Sequence, residues 1–195
     1  AVLADGMGGH AAGDIASKIV VTEIFSELKM QAGDPDQLES GILTILRDAV
    51  LSANECVRFH AETNPETLGM GTTLVAPVLM HDRLYWISVG DSPLYLFRDG
   101  RLSRLNEDHS MVPQIDYMVS NGILESDMAE NHPDRNALTS VLIGEAIAQI
   151  DCPSKPVLLQ PDDIVIVASD GLQFLADEEI ADLLTLRPGM TRADI

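Results

Sequence analysis

Basic residues are scarce in this chain: 12 Lys and Arg stand against 31 Asp and Glu, a formal net charge of −19 over 195 residues. That deficit argues against nucleic acid as a partner, because affinity for a polyanion comes from neutralising its phosphates with Lys and Arg. Only two cysteines occur, Cys56 and Cys152, too few for a disulfide scaffold. They read as free buried thiols, the first on a helix and the second on a strand, and favour a reducing, cytoplasmic setting. No apolar run approaches the roughly 20 residues of a membrane-spanning helix, and no signal peptide is visible. Linkers, repeats and low-complexity segments are likewise lacking. With 46% hydrophobic and 22% charged residues, residues 1–195 read as one domain with material for a sizeable core.

What the chain has in excess is acid. Most of it reads as solvated surface, as in Asp177-Glu178-Glu179 and the stretch from Glu125 to Glu130, but three carboxylates are set apart by position. Asp5 follows a short apolar segment ending at Leu3 and opens the run Asp5-Gly6-Met7-Gly8-Gly9-His10, whose glycines permit turns with φ > 0. Asp91 lies in Gly90-Asp91-Ser92, directly after the apolar run Leu84-Tyr85-Trp86-Ile87-Ser88-Val89. Asp170 ends Ile164-Val165-Ile166-Val167-Ala168-Ser169-Asp170-Gly171, a continuous apolar run that predicts a strand covered on both faces. A carboxylate at a strand end beside bare backbone can bind a hard cation through its side chain and a carbonyl. The ordinary alternative for each is a turn or helix-cap Asp.

Periodicity supplies a scaffold. Residues 14–30 predict a helix with the stripe Ile15, Ile19, Ile24 and Leu28, ended by Gly33-Asp34-Pro35. A second helix, to about Ala61, carries Leu38, Ile42, Ile45, Leu46, Ala49, Val50, Ala53 and Val57 on one face, and the pair should pack antiparallel. Strands at 72–80, 83–89, 94–98 and 101–104 predict an antiparallel meander, with Asp99-Gly100 as the last hairpin turn. A helix at 112–121 capped by Gly122, an irregular stretch at 128–136 and a short apolar element at 137–143 follow. Strands at 147–152, 156–159 and 164–169 come next, then a short helix with Asp177 as N-cap. Thr191-Arg192-Ala193-Asp194 reads as the start of another helix. Strands in runs and helices in pairs predict α+β layers.

Taken in order, Asp5-Gly6-Met7-Gly8-Gly9-His10, Gly71-Thr72-Thr73, Gly90-Asp91-Ser92, Asp108-His109-Ser110, Asn136-Ala137-Leu138-Thr139 with Gly144, and Ser169-Asp170-Gly171-Leu172 resemble the motif series of bacterial type 2C metal-dependent serine/threonine protein phosphatases. The resemblance implies a four-layer α-β-β-α sandwich of mostly antiparallel sheets flanked by helix pairs, with metals between the sheet edges. It also implies hydrolysis of phosphoserine and phosphothreonine in proteins by a metal-activated water. Two Mg²⁺ or Mn²⁺ ions are implied: Asp5 would bridge them, the Gly6 carbonyl would add a ligand to one, Asp170 would hold the other, and Asp91 would serve a third, weaker site. Such hard ions want oxygen donors and keep several waters, and a pair roughly 3.5–4 Å apart can both activate a water and offset phosphoryl charge. Phosphorylated proteins are the implied partners, together with a protein kinase or its targets.

Departures from the family pattern carry expectations of their own. Met7 stands where some eukaryotic relatives have a His proposed as general acid, so the leaving-group proton must come from water or elsewhere. Pro93 stands where an Arg is common, which stiffens the Asp91 turn and removes a charge that could support it. An upstream strand with a phosphate-binding Arg and an acidic ligand, and a downstream Asp-Asn box, are not found within 1–195, so the chain reads as an internal fragment of a longer domain. His10 reads as a structural helix-entry residue, His109 as organising the loop into the 112 helix, and His60, His81 and His132 as surface residues. The 111–135 segment matches the position of the family's flap beside the site. Two other readings compete: a non-catalytic phosphatase-like regulatory or binding module without a complete metal centre, and an anion cradle at Gly6 to Gly9. The cradle lacks the Lys and Ser/Thr of a nucleotide loop, and Asp5 beside it would repel phosphate.

Overall fold

The computed structural model describes residues 1–31, 33 and 35–185, with His10 described by its backbone alone. The chain begins with β1 (Gly6–Met7), then the helices α1 (His10–Met30) and α2 (Pro35–Thr63). Five short strands or strand-like segments follow: β2 (Gly71–Thr72), β3 (Leu74–Met80), β4 (Arg83–Val89), β5 (Leu94–Arg98) and β6 (Arg101–Arg104). After the small helices α3 (Val112–Ser120) and α4 (Ser126–Glu130) come β7 (Val157–Leu158), β8 (Ile164–Val167) and α5 (Asp177–Thr185).

These elements form an α+β sandwich. One sheet has the order β3-β4-β7, the other β6-β5-β8, and β1-β2 make a small ribbon. Every pairing is antiparallel. The period-2 alternation of β3 and β4 shows how the layers are built. Leu74, Ala76, Ile87 and Val89 face α1 and α2, joining Ala16, Val20, Ile24, Ile42, Leu46 and Val50 in the main core. Val75 and Trp86 point the opposite way, toward Leu94, Val165 and Val167 of the second sheet. Each fully buried Leu or Ile contributes roughly 1.5–3 kcal/mol relative to exposure. The helix pair therefore anchors the first sheet, while α5 packs on the second at β6.

Several expectations are corrected. The first helix begins at His10 rather than Asp14, and its most buried residues are Ala16, Val20 and Ile24, whereas Ile15, Ile19 and Leu28 are half-buried. It stops at Met30, with Gln31 donating its backbone N–H to the Glu27 carbonyl at 3.1 Å; Asp34 of the proposed stop lies outside the described residues, as does 191–194. The four central strands are not one meander, because β4 and β5 do not pair: the chain changes sheets through Gly90-Asp91-Ser92-Pro93. Residues 147–152 form no strand. Only Asp151 bridges, to Ser88, while its buried carboxylate accepts from the Trp86 indole at 2.9 Å and the Glu107 backbone N–H at 3.0 Å. The 128–136 stretch is irregular only from Asn131, because Ser126–Glu130 winds into a turn of helix that buries Ala129. All four residues of β8 are half-buried rather than covered on both faces, and among the described residues β8 pairs along one edge only, with β5. Asp177 lies inside α5; the Glu179 carboxylate accepts the Ala176 backbone N–H at 2.9 Å and caps the helix instead. Cys56 is on α2 and Cys152 in a loop; both are free. No helix among the described residues is long and apolar enough to cross a membrane.

Candidate active site

The three carboxylates singled out in the sequence come together where the two sheets meet. Asp5, Gly6, Asp91 and Asp170 line one cavity with Thr73, and Asp91 and Asp170 also line a second with Asp108, Arg135 and Gln173. Asp5 is delivered by the Gly-rich entry to α1. Gly6 needs no positive φ; instead, a Cβ there would collide with the Gly13 carbonyl, so glycine lets the Asp5 loop lie against the first turns of the helix. Asp91 sits on the crossing between the sheets, and Asp170 opens a 3-10 turn directly after β8.

The Gly71-Thr72-Thr73 motif ties two of these loops together. The Thr72 hydroxyl and Thr73 N–H both donate to the Asp5 carbonyl at 2.9 Å. Thr73 Oγ1 accepts the Asp5 N–H at 3.1 Å and lies 2.7 Å from Ser92 Oγ, beside Asp91. Gln173, one turn beyond Asp170, donates to the Asp91 carbonyl at 3.0 Å. Arg104 donates to that carbonyl at 2.7 Å and to Asp108 at 2.8 Å. The charged support that Pro93 removes is therefore supplied from β6.

Electrostatics mark the cluster. The Asp5 carboxyl is raised above its ordinary pKa by burial, then by the charge of Asp170 and a hydrogen bond to it. Asp91 is raised by burial and by the charges of Asp108 and Asp170, against the opposing pull of Arg104 and a backbone hydrogen bond. Carboxyls crowded in this way with a glycine carbonyl form an all-oxygen donor set that suits a hard divalent cation. Among the described residues, however, no three His, Cys, Asp or Glu side chains converge closely enough to hold a metal by themselves.

Two residues that carry the site's positive charge were not legible in the sequence. Arg104 lies on a strand with no motif of its own. Arg135 lies in the flap-like 111–135 segment, is paired only with the exposed Asp116 at 3.2 Å, and is the one cation among the described residues lining either cavity. Of the histidines, His109 lies buried in the loop that enters the 112 helix, its ring accepting the Gly90 N–H at 3.2 Å and its carbonyl the Thr139 N–H at 2.8 Å, while Ser110 Oγ accepts the Val112 N–H at 3.2 Å. The side chain of His10 lies outside the described residues. His81 and His132 are exposed to half-exposed, in keeping with a surface role.

The protein phosphatase 2C family profile matches residues 1–192. The chain belongs to the protein phosphatase 2C family. Over its whole length it is 33% identical to the serine/threonine phosphatase Stp of Listeria welshimeri, 75% of which it covers. Its fold is similar to that of the S. agalactiae serine/threonine phosphatase, with a TM-score of 0.79 at 30% identity, covering 99% of this chain and 76% of that one. It is also similar to the catalytic domain of the serine/threonine protein phosphatase PstP in complex with two manganese ions, with a TM-score of 0.73 at 30% identity, covering 95% of this chain and 74% of that one. The acidic cluster thus lies within a protein phosphatase 2C domain, with Asp91 on the turn that joins its two sheets.

Proposed function

We propose that this protein hydrolyses phosphoserine and phosphothreonine in protein substrates with the help of Mg²⁺ or Mn²⁺. The observation that carries the reading is the approach of Asp5 and Asp170 across one cavity, with Asp91 on its wall. In this reading Asp5, Asp170 and the Gly6 carbonyl would hold two ions, and Asp91 would serve a weaker third position. When bound, the ions supply a water of lowered pKa and offset charge on the phosphoryl oxygens. The two manganese ions of the PstP domain support this choice of metal.

The chain's own groups set the rest of the chemistry. Arg135 is placed to meet the substrate phosphate, which the carboxylates alone would repel. Ser92 and Thr73 are unsuited as nucleophiles: both are buried, bonded to each other, and without a base. Met7 offers no proton, so the leaving group takes its proton from water or from another group. Kinase targets are the proposed substrates, and a cytoplasmic setting is supported by the free thiols Cys56 and Cys152, whose pKa values burial pushes up. The competing reading, a non-catalytic module, draws on the lack of three converging ligands among the described residues. A phosphothreonine peptide assay of the intact protein separates the two: turnover should appear with Mn²⁺ or Mg²⁺ and vanish in excess chelator. Turnover that survives chelation would refute the metal reading, and none with either ion would favour the module.

A further inference from the structure

We propose that His109 is a positioning residue for the Asp91 turn, acting through the Gly90 peptide; the proposal rests on the metal-site role of Asp91 given above. Gly90 is the point at which the chain leaves β4 and its ladder. Its φ is 103°, and a Cβ built there would lie 2.6 Å from Thr73 Cγ2, so the turn is closed against the Thr73 strand and admits only glycine. The Gly90 N–H and C=O have left the sheet at a buried position and need partners inside the protein. His109 supplies both. The Gly90 N–H donates to His109 Nδ1 at 3.2 Å, and the His109 N–H donates to the Gly90 carbonyl at 3.1 Å.

The imidazole is 1% exposed, and acceptance at Nδ1 places its proton on Nε2 when the ring is neutral. Nε2 has no hydrogen-bond partner among the described residues; the nearest carboxylate oxygen, on exposed Glu107, is 3.7 Å away. A buried donor left unpaired is costly, and a smaller apolar residue would avoid that cost. What such a residue could not do is accept from Gly90. Beyond the turn, Arg104 and Gln173 hold the Asp91 carbonyl, and Asn106 holds the Ser92 carbonyl at 3.0 Å. The His109 ring holds the Val89–Gly90 peptide through its N–H, and the His109 backbone N–H, which any residue would keep, holds the Gly90 carbonyl. Loss of the ring bond would free Gly90 to turn about its φ and ψ and swing the Asp91 carboxylate, and metal-site geometry tolerates displacements of only about 0.5 Å.

The test compares His109→Asn, whose Oδ1 can stand in for Nδ1, with His109→Gln, whose amide reaches the Nε2 position, in the full-length protein. Imidazole ¹⁵N shifts of the unmodified protein should show Nδ1 unprotonated and Nε2 protonated. At equal folded fraction His109→Gln should lower kcat about 10- to 100-fold, the range for a group that orients a metal ligand, with KM little changed. His109→Asn should recover to within about twofold, the scatter within which independent effects add. In an Asp91→Asn background, His109→Gln should cause no further loss. Equal losses in both backgrounds, unchanged kcat in His109→Gln, or protonated Nδ1 in the unmodified protein would each overturn the proposal. Absence of turnover in the unmodified protein would count against the phosphatase reading instead. Mn²⁺ broadening of the Asp91 and Ser92 amides then decides: retention in His109→Asn and loss in His109→Gln supports positioning, and equal broadening in both overturns it. Should His109→Gln fail to fold, the His109→Asn spectrum and the tautomer carry the same decision.

Discussion

Asp5 and Asp170 line one cavity, and the charge of Asp170 acts on the Asp5 carboxyl there, so without a bound cation the two repel. The folded pKa of Asp5 is raised, so from the ordinary carboxylate value of about 3.9 upward the folded state holds its proton more tightly than the unfolded chain. Stability therefore falls as pH rises through that window. Asp5→Asn should raise the metal-free Tm by on the order of 2 °C, small because Asp5 is largely solvent-screened. The same variant should lose the Tm gain that Mn²⁺ gives the unmodified protein. A lower metal-free Tm in differential scanning calorimetry would contradict the repulsion argument. Asp170→Asn keeps shape and removes charge; turnover should fall at least ~100-fold, more than most outer groups of a metal site cost, with the circular dichroism unchanged. Near-normal rates at saturating Mn²⁺ would remove Asp170 from its assigned role.

At the level of elements, the second sheet depends on how β8 is fastened to β5. Backbone pairing runs from Leu94↔Val167 to Phe97↔Ile164, and Arg98 closes the far end through two bonds to Asp163, at 2.9 and 2.6 Å. The Arg98 guanidinium holds the Asp163 carboxyl down to about 2. A depressed carboxylate contributes stability that is present above the unfolded value of about 3.9 and is lost as pH falls through the folded one. Urea midpoints should thus drop between pH ~4 and ~2, and Arg98→Met should flatten that part of the profile. An identical acid limb in the variant would show that other carboxylates carry it. Since β8 delivers Asp170, the pair also fixes the strand on which a site carboxylate rides.

For the molecule as a whole, a formal charge of −19 surrounds a site that must attract a phosphorylated, anionic substrate. In the proposed reading, cations held by the acidic cluster would resolve that conflict, and Arg135 adds the only protein cation on the cavity walls among the described residues. Ligand number limits how well these residues can do so alone, because divalent affinity follows carboxylate count and rigidity. Calorimetric titration of the 195-residue chain with Mn²⁺ should give binding weaker than about 10⁻⁴ M, with little turnover of a phosphothreonine peptide. Micromolar binding of two ions with robust turnover would mean that the chain supplies substitute ligands.

The helix pair, the strands at 83–89, 94–98 and 101–104, and the turn at Asp99-Gly100 were all readable because each is written in local periodicity or in a turn-forming pair. The three acidic strand ends were readable for the same reason, since a carboxylate that stops an apolar run is a local pattern. Tertiary structure decided what joins across the chain. It split the supposed meander between two sheets at Gly90 to Pro93, because a period-2 pattern says which face is buried but not which strand lies alongside. It brought Arg104 to Asp91 and His109 to Gly90, contacts 13 and 19 residues apart, and set Arg135 on the wall of the cavity that Asp91 and Asp170 line, placements that no spacing rule encodes. It also left β8 half-exposed despite its apolar run and turned Asp151 inward to Trp86 where strand propensity predicted a ladder. Sequence by itself thus determined the long helices, the central strands and the three set-apart carboxylates; the packing of two sheets, by bringing distant turns into one place, decided what supports those carboxylates.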